Sequence, residues 1–576
     1  MISVQGSYRT LLAKVARGEE FCDLCLKDVQ VVNCINGKIE KCDVAIYGGF
    51  IAALGKGFKS KKEMDCRGLY LSPSFIDAHI HIESTMLLPR EFARAVVPRG
   101  TGGVISDPHE IANCLGVKGV EFMLSASSNL PMAFYYTAPS CVPATHLETS
   151  GATLASNDVE EILKKEGIVA LGEMMNFPGV ILGDKEVHAK LDVARTLGFP
   201  IDGHSPGLLG SDLCAYVGAG IDSDHECTTV KEAEEKLSRG MYLFLREGTS
   251  EKNLLDLLPV VNEKTLPFCC LVSDDRHPDD LIDLGHMDYL LKTAVDGGLD
   301  PISALSMVTL NPARRFGLRQ NGLVVPGFYA DLVLLKDLSK FSVEATFFRG
   351  HMVAKGGALC VDLPHKEYDS SVIKAINVKG KLDFKIKAKG DRARVIGINK
   401  GQIVTEELVF PVKREGEFAI SDLDRDILKI AVIERHHGTG NIAFGFVNGF
   451  GLKKGAIAST VAHDSHNIIV TGVDDVSMKI AVEALIDVGG GLSVSDAGGV
   501  KALLPLPVSG LMSMEPLLKV REQMDEILLA VKSIGCKIEN PFMILSFLAL
   551  PVIPKLKLTD KGIVDVEKFD YVSLFL

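Results

Sequence analysis

No apolar stretch in this sequence of 576 residues is long enough to cross a bilayer. The longest candidate near its end, residues 543–553, is interrupted by Pro551 and falls well short of the roughly 20 residues that a spanning helix needs. The N-terminus carries no apolar signal core, so a cytoplasmic protein without membrane contact is expected. Basic residues are outnumbered, 62 against 74 acidic, and the net charge of -12 comes without any basic stripe, so no nucleic-acid or polyphosphate partner is expected. Phosphate loops are missing too: there is no GxxxxGK[ST] and no GxGxxG after a strand. The clusters Gly489, Gly490, Gly491 and Gly498, Gly499 therefore read as tight turns. Cys22 and Cys25 form a CxxC, followed by Cys34 and Cys42, but the second close pair of a zinc ribbon is absent. The thirteen cysteines are scattered, and several, such as Cys141, Cys214, Cys269 and Cys270, sit in apolar stretches, which fits a reducing compartment. Neither a fixed-period repeat nor a low-complexity tract is present.

What the chain does have is a globular composition, 47% hydrophobic and 24% charged, and length for several units, one of which can be a barrel of about 250 residues. Residues 8–16 carry Leu11, Leu12 and Val15 at helical spacing. Short strands with glycine turns follow at 29–32, 44–46, 51–54 and 69–71. Then eight short apolar runs with polar C-terminal ends alternate with helical segments. The runs lie at 75–81, 104–106, 134–137, 169–173, 200–204, 220–225, 242–246 and 268–274; the helical segments include 159–166, 188–197, 230–238 and 253–261. Over residues 74–320 this is the period of a (β/α)8 TIM barrel, an α/β fold. Strands return at 332–335, 345–348 and 351–353. The expected layout is a helix and the first part of a small β-sandwich domain at 1–73, the barrel at 74–320, the second part of that β-domain at 321–370, and a C-terminal α/β domain at 371–576.

His79 and His81 stand at i and i+2 on the first barrel strand, so both side chains share one face, at the barrel mouth where active sites form. Two imidazoles at this spacing can chelate one ion. Strand four ends in Glu173, strand five in His204, strand six in Asp224 and His225, and strand eight in Asp274 and Asp275. Singly, each reads as a satisfied core histidine or a helix-capping carboxylate. Together they demand a buried counter-charge, and a dication supplies one. Four histidines and two carboxylates exceed one tetrahedral site and suit two ions sharing a bridging carboxylate, with Mn, Fe or Zn as candidates.

The run Pro73-Ser74-Phe75-Ile76-Asp77-Ala78-His79-Ile80-His81 resembles the first-strand motif of the amidohydrolase superfamily. Asn311-Pro312-Ala313 and Pro326-Gly327-Phe328-Tyr329-Ala330-Asp331-Leu332 are similar to the exit of its barrel into the β-domain. More closely, the chain resembles the adenine deaminases of that superfamily. The resemblance lies in His81-Ile82-Glu83-Ser84, Ser106-Asp107-Pro108-His109-Glu110, Gly172-Glu173-Met174-Met175-Asn176, Asp202-Gly203-His204-Ser205-Pro206 and Ser273-Asp274-Asp275-Arg276-His277-Pro278. The C-terminal stretches His463-Asp464-Ser465-His466-Asn467 and Leu504-Pro505-Leu506-Pro507 carry it to nearly the whole chain.

The resemblance implies hydrolysis of adenine to hypoxanthine and ammonia with two divalent ions, Mn first and Fe or Zn as alternatives. It implies that His79 and His81 hold the first ion, that Glu173 bridges, that His204 and His225 hold the second, and that Asp274 binds the first ion and shuttles the proton. Glu110 would protonate the purine ring, and Glu83, Ser84, Asp107, His109 and Asp275 would meet the substrate. Ser74 departs from the superfamily's usual glycine, with little consequence expected.

Strand alternation would turn Asp275 away from Asp274, and Asp274→Asn is expected to cut turnover far more than metal content. His463 and His466 have no third ligand cluster near them in sequence, so they read as turn residues or an edge contribution to the barrel mouth. A homodimer is expected from the chain's size. The alternative activities are hydrolysis of a cyclic amide or N-acyl group by the same metals, and a scaffold that has lost catalysis, whose sign would be a missing ligand. A nucleic-acid base editor is disfavoured: His81-Ile82-Glu83 spells HxE, but the PCxxC that should follow is absent.

Overall fold

Tyr70–Pro73 and Leu332–Leu335, the strands that flank the central region, pair antiparallel with Leu71 opposite Leu334 and Pro73 opposite Leu332. The computed structural model, which describes residues 2–373, 375–399 and 402–576, thus ties the two flanking segments into one hydrogen-bonded sheet of nine strands. Leu24–Asn33, Lys38–Tyr47 and Phe50–Gly55 extend it on one side, and Val343–Phe348, His351–Lys355 and Ala358–Leu359 on the other. Cys22 and Cys25 pack in an apolar cluster with Val15, Ala45 and Ala52, where no metal is called for.

All eight expected parallel strands form. Five make one parallel sheet: Phe75–Ile80, Thr101–Ser106, Ala133–Ala138, Ile168–Met174 and Ile201–Gly203. Three make a second: Ser223–Asp224, Tyr242–Arg246 and Cys269–Val272. The first two strands are buried at every position, as strands covered on both faces are. Ile76, Ala78, Ile105, Ala170, Phe244, Cys270 and Val272 fill the space between the sheets. The sheets meet at two seams. Asp274 N–H donates to His79 O at 3.0 Å and His81 N–H to Asp274 O at 3.2 Å; on the other side Asp222 N–H donates to Ile201 O at 3.2 Å. Ser74 is accommodated by its neighbour: a Cβ on Gly102 would lie 2.2 Å from Ser74 Oγ, so the glycine sits across from the serine instead of at its position.

The intervening helices follow local chemistry. Lys185–Leu197 is capped by Asp184, whose carboxylate accepts from Glu186 and Val187 N–H, and Val230–Ser238 by Thr229. The segment expected at 253–261 stops as an α-helix at Leu257 and tightens to 3-10 over Leu258–Val260, where Pro259 removes a backbone donor.

The C-terminal region holds an eight-stranded, mostly antiparallel sheet backed by the helices Asp475–Val488 and Leu517–Ser533. It lies against the strand ends of the parallel sheets. Ser513 N–H donates to Met86 O at 2.8 Å, Asn467 Nδ2 to Thr149 O at 2.7 Å, and the buried Arg435 reaches Ser509 O and Cys114. The helix Pro541–Phe547, buried at every residue, brings the apolar stretch around Pro551 to the same place. Among the described residues no helix is long and apolar enough to cross a membrane.

Candidate metal centre and active site

The C-terminal ends of the parallel strands converge on Glu173. The strand Ile168–Met174 delivers it, and its backbone N–H is held at 3.0 Å by Asp107 Oδ2. Gly172 makes that approach possible, since a Cβ there would stand 2.3 Å from the same oxygen. The two oxygens of Glu173 face opposite ways. Oε1 lies 3.1 Å from His81 Nε2 and 3.7 Å from His79 Nε2; Oε2 lies 2.8 Å from His204 Nδ1 and 3.2 Å from His225 Nε2. Asp274 Oδ1 completes the first side, 3.1 Å from His81 Nε2 and 3.6 Å from His79 Nε2. His81 is oriented from behind by its Nδ1, 3.0 Å from Asp107 O. His79 and His225 stack with centroids 4.2 Å apart.

These groups fit metal ions. His79 with His81 and Asp274, and His79 with Glu173 and His225, offer donor atoms close enough to share an ion, and so do His204, His225 and Glu226. His79 Nε2, which faces Glu173 and Asp274, is buried without a hydrogen-bond partner, a costly state that a ligated ion relieves. Burial alone would raise the Glu173 and Asp274 carboxyls, but the imidazoles, with Arg246 beside Asp274, hold both well below the usual carboxylate range. Burial likewise opposes charge on His81 and His225, yet Asp274 and Glu173 draw His81, and Glu173 draws His225, well above the usual histidine range. The cage is a field that attracts positive charge.

The other expected residues divide into two groups. His109, Glu110 and Asp275 line the same pocket. Glu83, Ser84 and Asp107 sit outside its lining: Ser84 Oγ donates to Asp275 Oδ1, and Glu83 accepts from Ile111 N–H at 3.3 Å. Burial, with Glu110 nearby, pushes the Glu83 carboxyl up to about 7. The alternation expected to turn Asp275 away does not apply, because the strand ends at Val272 and Asp274 has a φ of 55°.

Sequence reasoning missed several residues. Arg246, the last residue of its strand, donates to Asp274 Oδ2 at 2.8 Å and makes a short contact with Glu226. Its place at a strand end was a usable signal. From the C-terminal region come Ile403, Asp464, Phe547, Leu550 and Ile553, which line the pocket beside His463, a residue already expected at the edge of the mouth. Glu110 lies between two of that region's histidines, with Oε1 2.6 Å from His463 Nδ1 and Oε2 in short contact with His466 Nε2. The third partner missing from the neighbourhood of His463 and His466 in sequence is thus Glu110. Burial opposes charge on His463, but Glu110 and Asp275 push it up to about 9.

Comparison with known proteins agrees with this geometry. Residues 70–353 match the amidohydrolase family model, and residues 402–570 match the adenine deaminase C-terminal domain. The chain is 51% identical to an adenine deaminase of Desulfatibacillum aliphaticivorans, over 97% of this chain and 98% of that one. It is 48% identical to adenine deaminase 2 of Carboxydothermus hydrogenoformans, over 98% and 99%. It is 47% identical to an adenine deaminase of Methanothrix thermoacetophila, again over 98% and 99%. An amidohydrolase segment, a dedicated C-terminal domain and such identity along the full length leave one assignment: the chain belongs to the adenine deaminase family of metal-dependent amidohydrolases.

Proposed function

We infer that this enzyme hydrolyses adenine to hypoxanthine and ammonia at a centre of two divalent metal ions. The observation that carries the reading is the divided carboxylate of Glu173, one oxygen toward His79 and His81 and the other toward His204 and His225. His79, His81 and Asp274 would hold one ion and His204 and His225 the other, with Glu173 shared. Mixed imidazole and carboxylate donors suit Mn, with Fe or Zn as substitutes. Ions bound there activate water for attack and polarise the carbon attacked.

The remaining chemistry belongs to side chains. Asp274 Oδ1 takes a proton from the attacking water and returns it to the departing amine. Glu110 serves protonation of the purine ring. Asp275, held by Ser84, and His109 face the ring edge, and Phe547, Leu550, Ile553 and Ile403 exclude bulk water.

The scaffold for this reading is a closed (β/α)8 barrel over residues 74–320, for which the two seams between the parallel sheets are the support. The small β-domain at 1–73 and 321–370 and the C-terminal domain at 371–576 complete it. The enzyme acts in the cytoplasm on a free purine base, as a homodimer.

Ammonia release from adenine, adenosine, cytosine, a hydantoin and an N-acetyl sugar, with Mn, Fe and Zn supplied in turn, tests the reading. Adenine should be the best substrate. Faster turnover of the hydantoin or the N-acetyl sugar would keep the metal centre and overturn the deaminase.

A further inference from the structure

Glu110, His463 and His466 come together from two chain regions more than 350 residues apart, all buried, at distances a metal ion would accept. The tautomer of His466 argues against an ion. Ala462 N–H donates to His466 Nδ1 at 3.2 Å, so Nδ1 is an acceptor and the ring proton sits on Nε2, the nitrogen that faces Glu110 Oε2. A nitrogen that carries its proton has no lone pair for a metal. His466 is fixed in turn: its backbone N–H donates to Ala462 O at 2.7 Å, and its carbonyl accepts from the buried Arg435. Glu110 is therefore a carboxylate clamped by a rigid donor on one side.

On its other side, Glu110 Oε1 stands 2.6 Å from His463 Nδ1, which places a proton on that nitrogen. His463 Nε2 is then the ring's free end. It is buried and has no hydrogen-bond partner among the described residues, while the ring lines the metal pocket. The stacked ring of Phe547, 4.8 Å away at 21°, and the bond from His463 N–H to Ser546 Oγ at 3.1 Å hold it in place. Glu110 has no such freedom, since imidazoles of His463, His466 and His109 surround its oxygens.

We propose that His463 is the catalytic residue that meets the purine ring, passing a proton through Nε2 to ring nitrogen N1, with Glu110 and His466 as the positioning residues behind it. The proposal rests on the adenine deaminase reading and deepens it. In the step, water oxygen bonds to C6, the C6–amine bond breaks, and ammonia leaves. One water proton goes to the amine; the other restores the proton that His463 gave to N1. The product keeps a proton on N1 and a carbonyl at C6, so the balance closes without a further reactant.

The test uses native holoenzyme, His463→Asn and His463→Gln, with adenine as substrate and 6-methylpurine and 1-deaza-6-methylpurine, which have no amine to lose, as competitive inhibitors. Asparagine keeps a donor toward Glu110 but has nothing at Nε2. Its kcat/KM should fall by about 10²–10⁴-fold, the usual worth of a proton-transfer group, with native metal content and circular dichroism. 6-Methylpurine, whose N1 accepts as that of adenine does, should bind at least tenfold more weakly to His463→Asn, while 1-deaza-6-methylpurine, which lacks N1, changes less than twofold. His463→Gln, with an amide near Nε2, should recover part of the 6-methylpurine affinity. In native enzyme, 6-methylpurine should outbind 1-deaza-6-methylpurine, a comparison that needs no variant to fold. Equal binding of the two inhibitors to native enzyme overturns the proposal. So does kcat/KM of His463→Asn within threefold of native, or a loss of activity that tracks a loss of metal. Failure to release ammonia from adenine would count against the deaminase reading instead, since the inhibitor comparison judges His463 by itself.

Discussion

Arg246 Nη1 donates to Asp274 Oδ2 at 2.8 Å, which commits one oxygen of that carboxylate and leaves Oδ1 to His79 and His81. Asparagine at position 274 has a single acceptor oxygen and cannot serve both. Asp274→Asn should therefore lose bound metal as well as turnover, with kcat down by at least about 10²–10⁴-fold. This revises the expectation from sequence that metal would largely stay. Arg246→Met should keep both ligand oxygens but leave Glu226 and Asp274 buried without their cation, at a cost of about 3–5 kcal/mol in the metal-free protein. Metal analysis and denaturant titration read the two effects. Native metal occupancy in Asp274→Asn would return Asp274 to a purely proton-carrying role.

Glu173 offers a second comparison, between its charge and its placement. Glu173→Gln keeps the volume and the fold but turns one oxygen into a donor aimed at an imidazole nitrogen, so bound metal and activity should both collapse with native circular dichroism. Gly172→Ala leaves the carboxylate intact and displaces it, because the new Cβ would meet Asp107 Oδ2 at 2.3 Å. Overpacking of this kind costs about 1–3 kcal/mol, so Gly172→Ala should lower both the melting temperature and the metal content. A stable, fully metallated Gly172→Ala would show that Asp107 does not place Glu173.

The contrast between these residues shows what the sequence made legible. His79, His81, Glu173, His204, His225 and Asp274 could be found because a parallel strand puts its active residues at one end, in a pattern local to each strand. Arg246 was visible as a strand end but carries no ligand chemistry, and Glu226 follows a histidine that drew the attention. Asp275 was misjudged because period-two alternation was extended past Val272, where the backbone has left the strand. His463 was visible as part of a histidine pair that the sequence could place only at the edge of the mouth, and Phe547 and Leu550 had no local signal. Their place at the pocket is set by the docking of the C-terminal region on the strand ends of the parallel sheets, a tertiary contact that no periodicity encodes. That the two flanking strand sets share one β-domain was legible, but which strands join them, Tyr70–Pro73 with Leu332–Leu335, was not, because that pairing is long-range.

Lys557 yields a prediction about pH. It is fully buried, its Nζ donates to the carbonyls of Ile403 and Phe547 at 2.9 Å each, and burial pushes its pKa down to about 7. In the unfolded chain the value is about 10.4. Between these limits the unfolded chain holds a proton that the folded protein has shed, so stability from this group rises with pH from about 7 to about 10, by up to about 1.4 kcal/mol per pH unit. Below that window the full penalty of a buried ammonium persists and the slope from Lys557 vanishes. Lys557→Met should flatten the rise. Denaturant unfolding at several pH values across this window measures it, and equal slopes in the two proteins would rule the assignment out.

The last prediction concerns the size of the substrate. Ile403, Phe547, Leu550 and Ile553 line the pocket beside Glu173 on the side of the C-terminal region. All but Ile403 are buried, and the helix Pro541–Phe547 that carries Phe547 is itself buried at every residue, so this wall is packed from behind and does not yield as a loop would. A purine bound with its C6 toward Asp274 would bring the far edge of its ring against this wall. A ribose on the far edge of the ring would have to displace the wall. Adenine should therefore exceed adenosine in kcat/KM by at least about 100-fold, a ratio that needs only about 3 kcal/mol of steric cost. Leu550→Ala should narrow the ratio from both ends, losing apolar contact with adenine and making room for the sugar. If adenosine were turned over as fast as adenine by the native enzyme, the wall would have to open in solution. If Leu550→Ala left the ratio unchanged, the side chain that excludes the sugar would be sought at Phe547 or Ile553.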